Sequence, residues 1–236
     1  MQKIFVAFLI LLVNQCWAQR NDILLKKNWI GVIAGLNWST KNKNNYLSKS
    51  ELGFRFGMQG MHMMSDKIFL SSEISIVYNE TKNSTANGPA SPVGFFEFKE
   101  FNYWIEAPIH LNFAPLRSNK NFFFAVGLAP RMLLESNANI LLTFTNAIGQ
   151  QTVDFNNSLL DRRNKWNLFL SSRIGYLIGN MNHKFLVSVS FERSLLKIVN
   201  ATSTSISINP GIITYLPYDD PNYTLNTASL LVAYVF

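Results

Sequence analysis

Glu106 and His110 share one face of the stretch Tyr103-Trp-Ile-Glu-Ala-Pro-Ile-His-Leu111, with Pro108 between them. A histidine held beside a carboxylate is the start of a general-base arrangement. To become a catalytic site it needs a nucleophile within reach, and no serine stands in a strained turn motif. The competing reading is a hydrogen-bonded interior histidine. His62 and His183 fall at expected turns, away from any such pair. No Gly-rich phosphate loop, zinc spacing or calcium loop occurs. Asp219-Asp220 offers a weak cation site or a pair of solvated loop charges. The sequence therefore predicts no catalytic residue, no metal and no cofactor.

A second set of charges is more orderly. Arg55, Glu73, Glu106, Arg131, Arg173 and Glu192 recur at one parity of alternating segments, together with the polar Gln59 and His110. That is three arginines and three glutamates. Buried charges must be paired and hydrogen-bonded, so equal numbers of each sign suit a closed interior. Folding residues 101–134 about Ser118-Asn119 sets Glu106 opposite Arg131. The same construction sets Glu73 one diagonal step from Arg55, and Glu192 diagonally from Arg173. Three Glu–Arg pairs are expected, one per short-turn hairpin. They would act as a salt-bridged plug or as a polar conduit.

The elements that carry these charges must be strands. Tyr103, Ile105, Ala107, Ile109, Leu111 and Phe113 alternate with Trp104, Glu106, Pro108, His110 and Asn112. Phe122, Phe124, Val126, Leu128 and Met132 alternate with Phe123, Ala125, Gly127, Ala129 and Arg131. Alternation sustained over about ten residues is a period-two signal. The same pattern recurs over residues 29–38, 52–63, 68–79, 166–178, 185–195 and 225–236. Eight strands result, joined by connections that alternate long and short. Residues 39–50, 80–100, 135–164 and 196–222 form the long ones, with an extra hairpin possible within 135–164, where 140–144 resembles a strand. The predicted fold is all-β: an eight-stranded antiparallel up-and-down transmembrane β-barrel with short periplasmic turns and long external loops.

Composition agrees. Hydrophobic residues make up 48% of the 236-residue chain, aromatics 14% and charged residues 15%; soluble domains average about 25% charged. Aromatic residues gather near strand ends, as interfacial girdles do: Trp38, Tyr78, Tyr103, Phe113, Phe122, Trp166 and Tyr234. The net charge of +7 is dispersed, without a Lys/Arg run, which argues against nucleic acid. Residues 1–18 read as a signal peptide: Lys3, an apolar core over 4–13, and Cys16-Trp17-Ala18 before a cut after Ala18. Residues 19–236 then form one barrel domain, free of cysteine and without an apolar run of the ~18–20 residues a membrane helix needs.

The chain resembles the PorT-like small outer-membrane β-barrel family of Bacteroidota. The matching stretches are Gly31-Val-Ile-Ala-Gly-Leu-Asn37, the Tyr103-to-Leu111 segment quoted above, Phe124-Ala-Val-Gly-Leu-Ala-Pro130, Arg173-Ile-Gly-Tyr176 and Tyr234-Val-Phe236. The resemblance implies a barrel in the outer membrane and, through the family's namesake, a link to protein secretion. Leu230, Val232, Tyr234 and Phe236 form the lipid-facing side of the last strand, and resemble the terminal signal read by barrel-assembly machinery.

The expected function is a structural or interaction scaffold whose external loops meet a protein partner. Its other partners would be outer-membrane lipid and, during insertion, the assembly machinery. A small-solute or ion channel through the lumen is the alternative, and a membrane-embedded hydrolase or acyltransferase ranks below both.

Overall fold

A computed structural model of the chain describes residues 28–42, 48–65, 67–86, 93–114, 121–146, 149–179, 184–198, 205–209, 212–215 and 224–236. The signal segment 1–18 with its Cys16 and Ala18, the turn pair Ser118-Asn119, His183 and Asp219-Asp220 lie outside the described residues. Among those described, no helix is long and apolar enough to cross a membrane.

The strands are β1 (Asn28–Asn42), β2 (Ser48–Met63), β3 (Ile68–Ala86), β4 (Val93–Glu106), β5 (Ile109–Phe113), β6 (Phe122–Asn146), β7 (Gly149–Ser158), β8 (Trp166–Gly179), β9 (Lys184–Ser194), β10 (Ser205–Asn209), β11 (Ile212–Tyr215) and β12 (Thr224–Val235). Eight staves close into an antiparallel barrel in the order β1, β2, β3, β4 with β5, β6, β8, β9, β12 and back to β1. β4 and β5 count as one stave. Pro108 has no N–H to give the ladder, yet its carbonyl accepts from the Glu73 N–H at 3.0 Å and the register continues unshifted. β7 pairs with the far half of β6 as the additional hairpin, and β10 pairs with β11 as a separate one. Gly149 enters β7 with φ +126°, a region open to glycine.

Strand alternation sorts the side chains into two surfaces. Outward lies an apolar belt: on β1, Ile30, Val32, Leu36 and Trp38 are all exposed, and on β12 Leu230 and Val232 are too. From Ile30 to Trp38 the belt stands roughly 20 Å tall, taking about 3.3 Å per residue and a strand tilt of about 40°. Aromatic rings flank it. Tyr78 contacts Phe54 and Tyr103 at centroid separations of 5.2 and 4.9 Å near the long-connection end. Phe185, Tyr234 and Phe236 group at the short-turn end.

The connections expected over 80–100 and 39–50 are in large part strand. β3 runs on to Ala86, β4 starts at Val93, β1 reaches Asn42 and β2 starts at Ser48. The apolar alternation fades there because the outward side chains are charged: Lys82 meets Glu97 at 2.8 Å. These extensions stand above the belt, where outward residues meet water. β6 also changes parity on the way. Its register against β4 shifts between Tyr103 and Trp104, so that Leu133 and Ser136 both face inward while Leu134 and Glu135 are exposed. This is a β-bulge.

Candidate functional site

The interior is layered. At the short-turn end Trp29, Ile33, Phe69, Phe123, Leu186 and Leu231 form one apolar plug. Toward the long-connection end Val77, Trp104, Leu133, Phe169, Leu225 and Ile198 form another. Charge fills the space between them. Strand alternation produces this arrangement by aiming Arg55 of β2, Glu73 of β3, Glu106 of β4, Arg131 of β6, Arg173 of β8 and Glu192 of β9 inward.

Glu106 and Arg131 face each other across the β4–β6 ladder, and Arg131 Nε donates to Glu106 Oε2 at 2.8 Å. The other two expected hairpin pairs do not form. β2 and β3 pair Gln59 with Glu73 and Arg55 with Val77, so Arg55 and Glu73 are two same-face steps apart. Arg173 and Glu192 are diagonal neighbours, opposite Ser190 and Ser171 respectively, but each takes a partner elsewhere. Arg55 Nη2 donates to both Glu192 oxygens at 2.8 and 2.7 Å, and Arg55 Nε lies 2.9 Å from Glu106 Oε1. Arg131 also donates to Glu192. Arg173 Nη1 reaches Glu73 Oε1 at 2.5 Å. An eight-strand lumen is only wide enough for side chains to fill, so long side chains reach the opposite wall and pair across the barrel instead of along one hairpin.

Further contacts fix the layer. Ser75 Oγ donates to Glu106 Oε1 at 2.7 Å, and the Arg131 guanidinium stacks 3.9 Å from the Phe169 ring centroid. Gly127 makes room for His110, since a Cβ there would lie 2.7 Å from His110 Cδ2. Several lumenal atoms have no protein partner among the described residues, including both amide atoms of Gln59 and the hydroxyls of Ser188 and Ser190. Buried polar groups of this kind bind ordered water.

His110 does not pair with Glu106. Its Nε2 lies 2.9 Å from Ser171 Oγ. Histidine beside serine has the composition of a base and a nucleophile, but both residues are fully buried between the plugs. No described side chain orients His110 Nδ1. The contact lies enclosed between the plugs as a buried hydrogen bond. His62 sits at the short-turn end, 2.6 Å from Asn28 Oδ1. Among the described residues no three His, Cys, Asp or Glu side chains converge as a metal site.

A second charged cluster escaped the sequence reading. Glu100 is fully buried above the upper plug, 2.5 Å from Lys41 Nζ and 2.9 Å from Arg163 Nε. Arg163 follows a 3-10 turn, Leu160–Arg162, that folds over the mouth, where the Asn164 N–H donates to the Ile198 carbonyl at 2.8 Å. Leu159 and Ile198 are buried beneath this cover. The signal was available in parity: Glu100 shares the inward face of Asn102, Trp104 and Glu106, and Lys41 that of Asn37 and Ser39. Both residues fall within stretches 39–50 and 80–100, where the sequence predicts connections.

No protein-family model and no curated protein matches the chain, so the PorT-like resemblance rests on its own motif residues. Among solved structures the chain is similar to Ail, the attachment invasion locus protein of Yersinia pestis, at 14% identity and TM-score 0.44, covering 89% of this chain and 99% of that one. It is also similar to the outer membrane protein OprG of Pseudomonas aeruginosa (13% identity, TM-score 0.36, 89% and 96% covered). A third is the outer membrane protease OmpT of Escherichia coli (9% identity, TM-score 0.37, 91% and 98% covered). Likenesses this distant assign no activity to the chain.

Proposed function

We propose that the chain is a non-enzymatic outer-membrane β-barrel that works as a closed scaffold, holding the β3–β4 and β6–β7 extensions above the bilayer for a protein partner. The layered lumen carries this reading. Two apolar plugs enclose a charged layer whose three arginines and three glutamates balance. A path for ions would have to cross both plugs. On the outside, a closed sheet with an apolar belt suits a bilayer, where every backbone polar group must be satisfied internally. That belt supports a place in the outer membrane, and so does the sequence reading of residues 1–18 as an export signal cut after Ala18. The PorT-like resemblance adds a link to protein secretion, and the terminal Tyr234 and Phe236 suit recognition by barrel-assembly machinery.

The test is conductance of the refolded chain in planar bilayers, as wild type and as Glu106→Gln. Silence from both is expected. Steady conductance that changes with the substitution would replace the scaffold by a lumenal channel.

A further inference from the structure

The outward wall carries a marked depression. A groove of about 520 Å³ crosses β1, β12, β9 and β8 toward their long-connection ends and reaches Val126 of β6, within the ~300–1,000 Å³ range of small-ligand clefts. Its shape follows from the register. Trp38 faces Ala228, Ala228 faces Phe191, and Phe191 faces Ser172. Large side chains alternate with small ones across four strands, so Ala228 and Ser172 form a low floor between aromatic walls.

The next row toward the rim is polar on β1, β12 and β9 and apolar on β8. Thr40 faces Asn226, Asn226 faces Arg193, and Arg193 faces Leu170. Arg193 is exposed on the outer face, one residue from the end of β9. Among the described residues no carboxylate lies within ion-pair range of it. A cation on the wall of a barrel is destabilising at mid-belt and tolerated at the interface, where an anion from the bilayer can meet it. An apolar slot directly beneath a cation and an amide matches an acyl chain beneath a phosphate.

We propose that this groove binds one anionic phospholipid, its headgroup carrying net negative charge on the phosphate, with an acyl chain along Ala228 and Ser172 between Trp38 and Phe191, and the phosphate on Arg193 and Asn226. An arginine fork suits phosphate geometry. The inference rests on the reading that the belt faces a bilayer.

The experiment is native mass spectrometry of the refolded chain released from micelles containing equal phosphatidic acid and phosphatidylcholine with the same acyl chains. Folding of each variant is checked first by heat-modifiable electrophoretic migration and by insertion into vesicles. Wild type is expected to retain one phosphatidic acid at least ~10-fold over phosphatidylcholine, a difference of about 1.4 kcal/mol. Arg193→Gln should abolish the preference, Ala228→Leu should remove retention of either lipid, and Lys99→Gln, on the outer face of β4, should change neither. Equal preference in wild type and Arg193→Gln overturns the proposal. So does a dimer that Ala228→Leu dissolves, which would make a second copy the occupant. Failure of wild type to insert into vesicles would defeat the outer-membrane reading, and this proposal with it. Insertion with indifference to headgroup defeats this proposal alone.

Discussion

Glu106→Gln removes one of the three carboxylates that balance the lumenal layer. In the folded barrel Glu106 meets Arg55 at 2.9 Å, Arg131 at 2.8 Å and Ser75 at 2.7 Å. After substitution both arginines turn on Glu192, and the layer holds three arginines against two glutamates. All of these side chains are fully buried, so solvent cannot screen the excess charge. Removing one partner of a buried pair costs about 3–5 kcal/mol. With a urea dependence of about 2 kcal/mol per molar, the unfolding midpoint of the vesicle-inserted barrel should fall by roughly 1.5–2.5 M. The decisive variant is the double one. Glu106→Gln with Arg131→Met leaves Arg55 on Glu192 and Arg173 on Glu73, two cations on two anions, each pair already within 2.8 Å. The double variant should be more stable than Glu106→Gln alone, with a coupling energy of about 2 kcal/mol, inside the ~0.5–3 kcal/mol range of neighbours that share a network. Strict additivity would refute the reasoning, because it would mean that charge balance does not govern this layer. So would a Glu106→Gln midpoint equal to wild type.

Three further sets of substitutions test other parts of the structure. Val232→Arg, in the middle of the belt on β12, should destabilise the vesicle-inserted barrel by about 2–4 kcal/mol, while Thr40→Arg near the rim should cost about 0–1 kcal/mol; equal effects would argue against a bilayer around the belt. Gly175→Ala should cost about 1–3 kcal/mol by overpacking, since its Cβ would lie 2.4 Å from Phe123 Cζ, and Phe123→Leu in the same chain should restore much of it in urea titration. Arg163→Met should loosen the cover of the mouth, because Arg163 grips Glu100 at 2.9 and 3.1 Å; trypsin should then cut after Lys165 faster than in wild type, and an unchanged rate would show that the cover is held by Leu159 and Ile198 alone.

The eight staves were legible because each carries its period within the belt. Phe54, Phe56 and Met58 against Gly53, Arg55 and Gln59 need no tertiary information to be sorted. The Glu106–Arg131 pair was legible for a similar reason: the ladder from β4 through β5 to β6 is continuous up to Trp104 and Leu133, so counting from the turn gives the partner. Other features depended on the closed shape. Whether Arg55 meets Glu73 beside it or Glu192 three staves away is decided by the diameter of the lumen, which no single hairpin encodes. The extensions above the belt look like loops in the sequence because Lys82, Glu97 and Lys99 point outward and erase the apolar parity. At Leu134 the bulge exchanges the two faces, so inward residues beyond it, Ser136, Ala138 and Ile140, lie out of step with Arg131. Arg163 could not be placed at all by periodicity, since it belongs to a cover and not to a strand.

The charged layer also accounts for why one register prevails. Side chains on a strand alternate with period two, so slipping a strand by one residue would turn its inward set toward the belt side. For β2, β6 and β8 that slip would expose Arg55, Arg131 and Arg173 to lipid while burying Phe56, Met132 and Ile174 among glutamates. At about 2–4 kcal/mol for each arginine at mid-bilayer, the three slips together lie roughly 6–12 kcal/mol above the native register before any carboxylate is counted. A lumen lined only with serine and glycine would carry no such penalty. The three arginines therefore do structural work that a neutral filling could not: they define the inside of the barrel.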